Sequence, residues 1–219
     1  MAVLLFFFLS GFWVSKIWRE KFDGEFARFY ATRALRIFPL YWLVAAFAAF
    51  AFPVPLGLSN LVLFGVANAA GDPVSVSWSL DIELQFYLVL PFLMLLPARI
   101  ILIGSVAVAA GAWIFSPDIL TLANFLPAFA LGMACYTEDW KPSQKVAIVS
   151  LALFLGVSLG VAMFAYAFLD STIPDPFNID VFSFFWMLPL LPFVAWSLRL
   201  KSPPSDRHLG NISYPLYLV

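Results

Sequence analysis

The sequence predicts an all-α fold, a polytopic bundle of transmembrane helices, and three observations lead to it. Of the 219 residues, 63% are hydrophobic and 11% are charged, whereas a soluble domain is about half apolar and about a quarter charged. The mean hydropathy is +0.94. The aromatic content, with 25 Phe and 8 Trp, is typical of chains in lipid and at the membrane interface.

Seven apolar segments approach the roughly 17–25 residues that a helix needs to cross a bilayer. They lie near 1–18, 37–52, 78–97, 100–115, 119–136, 146–168 and 181–198. Another begins at about residue 210, so the sequence predicts about seven full spans and a partial eighth. Residues 56–70 are apolar but short and follow Pro-Val-Pro, and we expect an interfacial or re-entrant segment there rather than a span.

Charge placement predicts how the segments are threaded. When the seven segments alternate in direction and 56–70 is left out, all 12 Lys and Arg residues fall in loops on one face. The opposite loops hold no Lys or Arg and contain Asp72, Asp118, Asp170, Asp175 and Asp180. By the positive-inside rule the basic face is cytoplasmic, which predicts a multi-pass protein embedded in a lipid bilayer.

The same counts exclude several classes of function. A formal net charge of −1 gives no electrostatic footprint for a nucleic-acid partner. One Cys and one His form neither a disulfide framework nor a metal site. The first helix would run inward with no basic residue before it, and the last segment stops after about ten residues. We therefore expect that the chain is truncated at both ends.

Two carboxylates, Asp81 and Glu83, lie inside the third long apolar segment. Carboxylates are costly in hydrocarbon and usually face a bundle interior or a watery cavity. Ser79, Glu83 and Tyr87 are spaced by four residues and form one polar stripe of the helix. Asp81 and Gln85 form a second stripe on a different face.

Glu83 has two readings, of which we favour the first. In the first, it lines a substrate cavity or helps to transfer a proton, since intramembrane acids are functional candidates by default. In the second, it is a protonated carboxyl that hydrogen-bonds a neighbouring helix, while Asp81 lies near enough to the surface to be hydrated.

Arg33 and Arg36 are spaced to share a helical face at the cytoplasmic end of the second apolar segment. Paired guanidinium groups suit phosphate, which arginine binds in a bidentate manner. The alternative is a positive-inside anchor that binds lipid headgroups.

Three further residues are candidates with less support. Ser10 and Gly11 lie within an aromatic run and indicate close helix packing. Ser10 is a poor candidate for a nucleophile, because no His or basic residue accompanies it. His208, the only His, lies in a basic cytoplasmic loop, and we expect it to be solvated and far from Glu83.

Four motifs occur in order along the chain. They are Phe-Phe-x-Leu-Ser-Gly-Phe ending at Phe12, Arg-x-x-Arg-Ile-x-Pro-x-Tyr at 33–41, Trp-Ser-Leu-x-x-Glu-x-Gln-Phe-Tyr-Leu at 78–88, and Gly-x-Ile-Ser-Tyr-x-x-Tyr-Leu at 210–218. With them the chain resembles the integral-membrane acyltransferase family 3, bacterial enzymes that O-acylate surface polysaccharides and other exported glycans. The resemblance covers residues 1–219 as a single transmembrane domain.

The resemblance implies a reaction and a place for it. An acyl group, by preference acetyl, passes from acyl-coenzyme A to a hydroxyl of a cell-envelope glycan or an exported small molecule at the bacterial inner membrane. Acyl-coenzyme A is then a co-substrate, and no bound cofactor or metal is implied. In this reading Glu83 is the active-site carboxylate, acting as base, orienting group or acceptor ligand. Arg33 and Arg36 contact the donor's phosphates, and the residues that line the site are Ser10, Ser79, Asp81 and Tyr87.

The chain also departs from the family pattern. The family's catalytic His belongs to a first transmembrane helix that lies before the segment at Met1, and the family continues beyond Val219. Leu4 stands where an acidic or polar residue is usual, and Asp81 where a small one is usual. The alternative is therefore a catalytically inactive, truncated family member with a binding, transport or assembly role.

Overall fold

The protein is described here from a computed structural model, which places residues 2–51, 57–69, 74, 77–168 and 184–200. Within these ranges all regular structure is helical and no strand occurs, so the predicted all-α class is confirmed. The helices are α1 (Ala2–Ile17), α2 (Phe26–Ala51), α3 (Leu58–Val62), α4 (Ser77–Leu93), α5 (Ala98–Phe115), α6 (Leu122–Thr137), α7 (Gln144–Phe168) and α8 (Leu191–Ser197). Each of the seven apolar segments predicted from the sequence overlaps one of the longer helices or α8.

Two of these helices, α2 and α5, are long and apolar enough to cross a membrane. Length and composition alone are weak support for a membrane protein, because core helices of soluble proteins can pass the same test. Both helices also turn large apolar side chains outward, among them Phe47 at 72% and Ile103 at 73% exposure, as helices facing lipid do. The seven crossings stay a prediction.

Helix α2 begins at Phe26, well before the predicted start at residue 37. Gly24 adopts φ +89°, which lets the chain reverse after α1, and the following Ala and Arg residues favour a helix. The rings of Trp18 and Phe29 pack edge to face across this reversal. As a result Arg33 lies inside a long helix and not at the helix end.

The segment 57–69 is short and folded back on its neighbours. It consists of α3 and one 3-10 turn, Val66–Asn68, with Leu63 and Gly65 between them at positive φ. Trp42 Nε1 donates a 2.9 Å hydrogen bond to the Leu61 carbonyl. A five-residue helix is too short to cross a bilayer, which confirms for the described residues that this segment is not a span.

By its contacts the chain divides into two compact units, one that includes residues 7–138 and one that includes 139–200 together with the first residues. In the first unit α1 and α6 touch backbone to backbone at two glycines. A Cβ on Gly11 would lie 2.2 Å from the Phe129 carbonyl oxygen, and one on Gly132 would lie 2.0 Å from that of Phe8. The close packing predicted at Gly11 is therefore present, and its partner is α6.

The second unit is held together by α7 and α8. Ser150 Oγ donates to the Pro189 carbonyl at 2.6 Å and accepts from the Phe193 backbone N–H at 3.2 Å. Asp139 accepts hydrogen bonds from Lys141 and from Arg199. The Lys141 hydrogen bond and the two positive charges hold the pKa of the Asp139 carboxyl below its ordinary value. This ion pair joins two loops that the charge pattern assigns to the same, cytoplasmic face.

Candidate active site

The side chain of Glu83 is the centre of a buried polar cluster in the first unit. Ser10 Oγ on α1 donates a 2.5 Å hydrogen bond to Glu83 Oε1. The Tyr87 hydroxyl, one helical turn further along α4, donates to the same oxygen. Glu83 is buried, with 5% of its surface exposed. Two hydroxyl groups, one on α1 and one on α4, therefore hold its carboxyl group in position away from solvent.

The glycine contact between α1 and α6 explains why Ser10 reaches α4. Adjacent residues of an α-helix point about 100° apart, so when Gly11 faces α6, Ser10 faces a different neighbour. Phe7, one turn earlier on α1, stacks on Phe129 of α6 with ring centroids 4.6 Å apart. These contacts fix the rotation of α1 about its axis and direct the Ser10 hydroxyl at Glu83.

Arg33 joins the cluster from α2. Its guanidinium carbon lies 5.7 Å from the centroid of the Tyr87 ring and 5.7 Å from that of the Phe29 ring. Such cation–π contacts are favourable when the cation is removed from water. Arg33 is 5% exposed, and its Nε and Nη1 atoms have no hydrogen-bond partner among the residues that the structure describes. A lipid-headgroup anchor at the surface does not fit this environment.

Arg36 has a different environment from Arg33, although the two belong to one motif. The side chain of Arg36 is exposed. Both arginines interact electrostatically with Glu83, so the carboxyl group lies in a positive field. The pair therefore consists of one buried and one exposed arginine.

Tyr87 connects the charged members of the cluster. Its hydroxyl bonds to Glu83, and one face of its ring supports Arg33. The structure thus brings together four of the residues predicted for the site, Ser10, Arg33, Glu83 and Tyr87, from three helices. Ser79, one turn before Glu83 on α4, is fully buried.

Asp81 lies apart from this cluster, on the second stripe of α4. The second reading of Glu83 placed Asp81 near enough to the surface to be hydrated, whereas in the structure Asp81 is fully buried. Its carboxylate accepts a 3.0 Å hydrogen bond from the Ala67 backbone N–H and a 2.9 Å bond from Gln85 Nε2. The segment 57–69 folds over this end of α4 and excludes solvent, which helix periodicity alone could not reveal.

Gln85 extends the second stripe to another helix. Its Oε1 atom accepts a 2.9 Å hydrogen bond from the backbone N–H of Leu122, the first residue of α6. Asn68 and Leu120 exchange two hydrogen bonds of 2.7 Å nearby. The stripe of Asp81 and Gln85 thus fixes two loops around the N-terminal end of α4.

Phe29 was not predicted as a partner of Arg33, although its position four residues earlier on the same helix indicates the contact. The link from Gln85 to α6 was not predicted either, because no local feature of the sequence indicates it. The last motif, with His208, lies outside the described residues. Within the described ranges no group of three or more His, Cys, Asp or Glu side chains could hold a metal ion.

The chain as a whole is similar to known proteins. Residues 1–219 match the model of a family described as an acyltransferase domain. The chain is similar to nodulation protein 10 of Rhizobium leguminosarum bv. viciae, with 26% identity over 263 residues that cover 99% of this chain and 70% of the relative. No solved structure matches the chain.

Proposed function

Since the chain belongs to the acyltransferase domain family, we propose that it is a membrane-bound O-acyltransferase with its active site at Glu83. One observation carries the proposal. A buried carboxyl group is held by the Ser10 and Tyr87 hydroxyls beside the buried Arg33, and an ionisable group inside a membrane bundle is a functional candidate by default. Ionisable groups that are buried beside a charged partner are typical of functional sites.

The reaction is transfer of an acyl group, by preference acetyl, from acyl-coenzyme A to a hydroxyl. We propose a cell-envelope glycan or an exported small molecule as the acceptor. The acceptor oxygen bonds to the acyl carbon, the carbon–sulfur bond of the thioester breaks, and the hydroxyl proton ends on the coenzyme A sulfur. Acyl-coenzyme A is a co-substrate in this scheme, and no metal or bound cofactor takes part.

Glu83 can serve the acceptor in three ways: as the base that receives the hydroxyl proton, as a group that orients a base, or as a ligand of the acceptor. All three need a carboxylate in a fixed position, which the hydrogen bonds from Ser10 and Tyr87 provide. Arg33 and Arg36 are guanidinium groups that can donate hydrogen bonds to the acyl donor. The outward apolar faces of α2 and α5 support a site within the bacterial inner membrane.

The test is acyl transfer by membranes that carry the protein, with acetyl-coenzyme A as donor. Glu83→Gln keeps the size of the side chain and should lower kcat at least about 100-fold, the range expected for loss of a positioned acid or base. Glu25→Gln removes an exposed glutamate that pairs with Arg28 and should leave the rate unchanged.

Two outcomes would contradict the proposal. If Glu83→Gln turns over acetyl-coenzyme A at the unmodified rate, Glu83 is not the active-site carboxylate. If the unmodified protein transfers no acyl group from any acyl-coenzyme A to any hydroxyl, the alternative of an inactive member with a binding, transport or assembly role replaces it.

A further inference from the structure

Arg33 and Arg36 have different environments, and we propose that they bind different parts of the acyl donor. Arg33 donates hydrogen bonds to the carbonyl oxygen of the acyl group, and Arg36 holds a phosphate. This inference rests on the proposed function and deepens it, because it assigns Arg33 to the reacting atoms and not to the anionic part of coenzyme A.

Unused donors on a buried cation are the first argument. Arg33 is 5% exposed, and its Nε and Nη1 atoms have no hydrogen-bond partner in the part of the chain that the structure describes. A buried donor without a partner costs about 1–3 kcal/mol, and more when it is charged. The Phe29 and Tyr87 rings compensate the charge through their faces, but they satisfy no N–H group. The donors are therefore available to an oxygen atom of a ligand.

The size and hydration of a phosphate and of an acyl carbonyl decide which of the two groups can bind Arg33. A phosphate is bulky, strongly hydrated and charged before it binds, and moving it into an apolar interior is costly. The exposed side chain of Arg36 can receive such a group without that cost. A carbonyl oxygen is a single neutral atom, so it can reach Arg33 without displacing the rings of Phe29 and Tyr87.

The position of Arg33 relative to Glu83 supports the same assignment. Tyr87 contacts both residues, through its hydroxyl to Glu83 and through its ring to Arg33. A carbonyl held by Arg33 therefore lies in the same cluster as the carboxylate that serves the acceptor hydroxyl. Attack by the hydroxyl oxygen places negative charge on the carbonyl oxygen before the carbon–sulfur bond breaks. Donors fixed in advance at that oxygen stabilise the transition state more than the bound substrate.

The test separates binding of the coenzyme from turnover of the thioester. Coenzyme A carries the phosphates and the rest of the donor but lacks the thioester carbonyl, so its affinity reports on the coenzyme without that carbonyl. The protein in detergent or nanodiscs is titrated with coenzyme A, and kcat and KM are measured with acetyl-coenzyme A. The variants are Arg33→Gln, Arg33→Lys and Arg36→Gln, with Arg28→Gln as the matched control, because Arg28 is exposed and lies on the same helix.

The expected results differ between the two arginines. Arg33→Gln should leave the affinity for coenzyme A within about 2-fold and lower kcat at least about 100-fold, as loss of an oxyanion donor does. Arg36→Gln should weaken coenzyme A binding and raise KM by about 10-fold, the usual effect of losing a charged hydrogen bond. Arg28→Gln should change neither quantity. Retained coenzyme A binding also shows that the Arg33 variants are folded.

The inference is overturned if Arg33→Gln weakens coenzyme A binding as much as Arg36→Gln while kcat stays unchanged. If Arg33→Gln does not fold, Arg33→Lys decides, since it keeps the positive charge but not the guanidinium geometry. A normal kcat in Arg33→Lys with weaker coenzyme A binding again overturns it. If the unmodified protein binds coenzyme A and turns over acetyl-coenzyme A, the proposed function stands whatever the Arg33 variants do. If it does neither, both proposals fall.

Discussion

Ser10 and Glu83 are 73 residues apart in the sequence, and a 2.5 Å hydrogen bond joins the Ser10 hydroxyl to the Glu83 carboxyl. The contact exists because Gly11, next to Ser10, lets α1 approach α6 to backbone distance. Helix packing and site geometry therefore depend on the same pair of adjacent residues. Ser10 can therefore belong both to a packing contact and to the site. The close packing of α1 on α6 is what allows its hydroxyl to reach Glu83.

Replacing Ser10 by Ala should lower kcat by about 10-fold or more, since a hydrogen bond to a charged group is worth about 1.5–3 kcal/mol. Acyl transfer from acetyl-coenzyme A is the measurement. Ser15→Ala is the matched control, because Ser15 lies on the same helix, is fully buried, and its Oγ has no hydrogen-bond partner within the described residues. A Ser10→Ala variant as active as Ser15→Ala would show that the hydroxyl does not position Glu83.

Tyr87→Phe should separate the two functions of Tyr87. The variant removes the hydroxyl that bonds to Glu83 but keeps the ring that supports Arg33. We expect kcat to fall by about 10-fold while the protein keeps its affinity for coenzyme A. Tyr87→Leu also removes the ring and should reduce both activity and thermal stability in detergent. Equal activity of Tyr87→Phe and the unmodified protein would contradict this assignment.

Helix periodicity was sufficient to predict the parts of the site that lie on one helix. The pairs Glu83–Tyr87 and Asp81–Gln85 are four residues apart, and side chains at that spacing meet on the helix surface whatever the rest of the fold does. The helical class and the short, non-spanning segment at 57–69 followed equally from local hydropathy. These features need no knowledge of which helices are neighbours.

Contacts between helices could not be predicted in this way. The partner of Ser10 depends on how far α1 can approach α6, which Gly11 and Gly132 decide together. The burial of Asp81 depends on segment 57–69 folding over α4, and its anchor is a backbone N–H of Ala67 that no side-chain pattern marks. The environment of Arg33 differs from the predicted one, because α2 starts before the apolar segment and Arg33 therefore lies inside the helix.

Gly11→Ala and Gly132→Ala should destabilise the first unit by about 1–3 kcal/mol or more, because a methyl group at either position meets a backbone carbonyl that cannot move aside alone. Gly104→Ala is the control, since nothing lies within 4 Å of a Cβ at that position and Ala favours a helix over Gly. Thermal unfolding in detergent is the measurement. If Gly104→Ala is as destabilising as Gly11→Ala, the loss is a general cost of substitution and not a clash.

Asp81→Asn tests whether the second stripe of α4 is structural. The amide nitrogen of Asn would face the N–H of Ala67 or of Gln85, both of which donate to Asp81 in the structure. A buried donor set against another donor should cost about 1–3 kcal/mol of stability. The variant should loosen segment 57–69, which limited proteolysis detects, while molecules that remain folded keep their kcat. Asp23→Asn, at an exposed position, controls for loss of a negative charge. A fall in kcat at unchanged stability would instead mean that Asp81 lines the acceptor site, and the division of α4 into a catalytic and a structural stripe would be wrong.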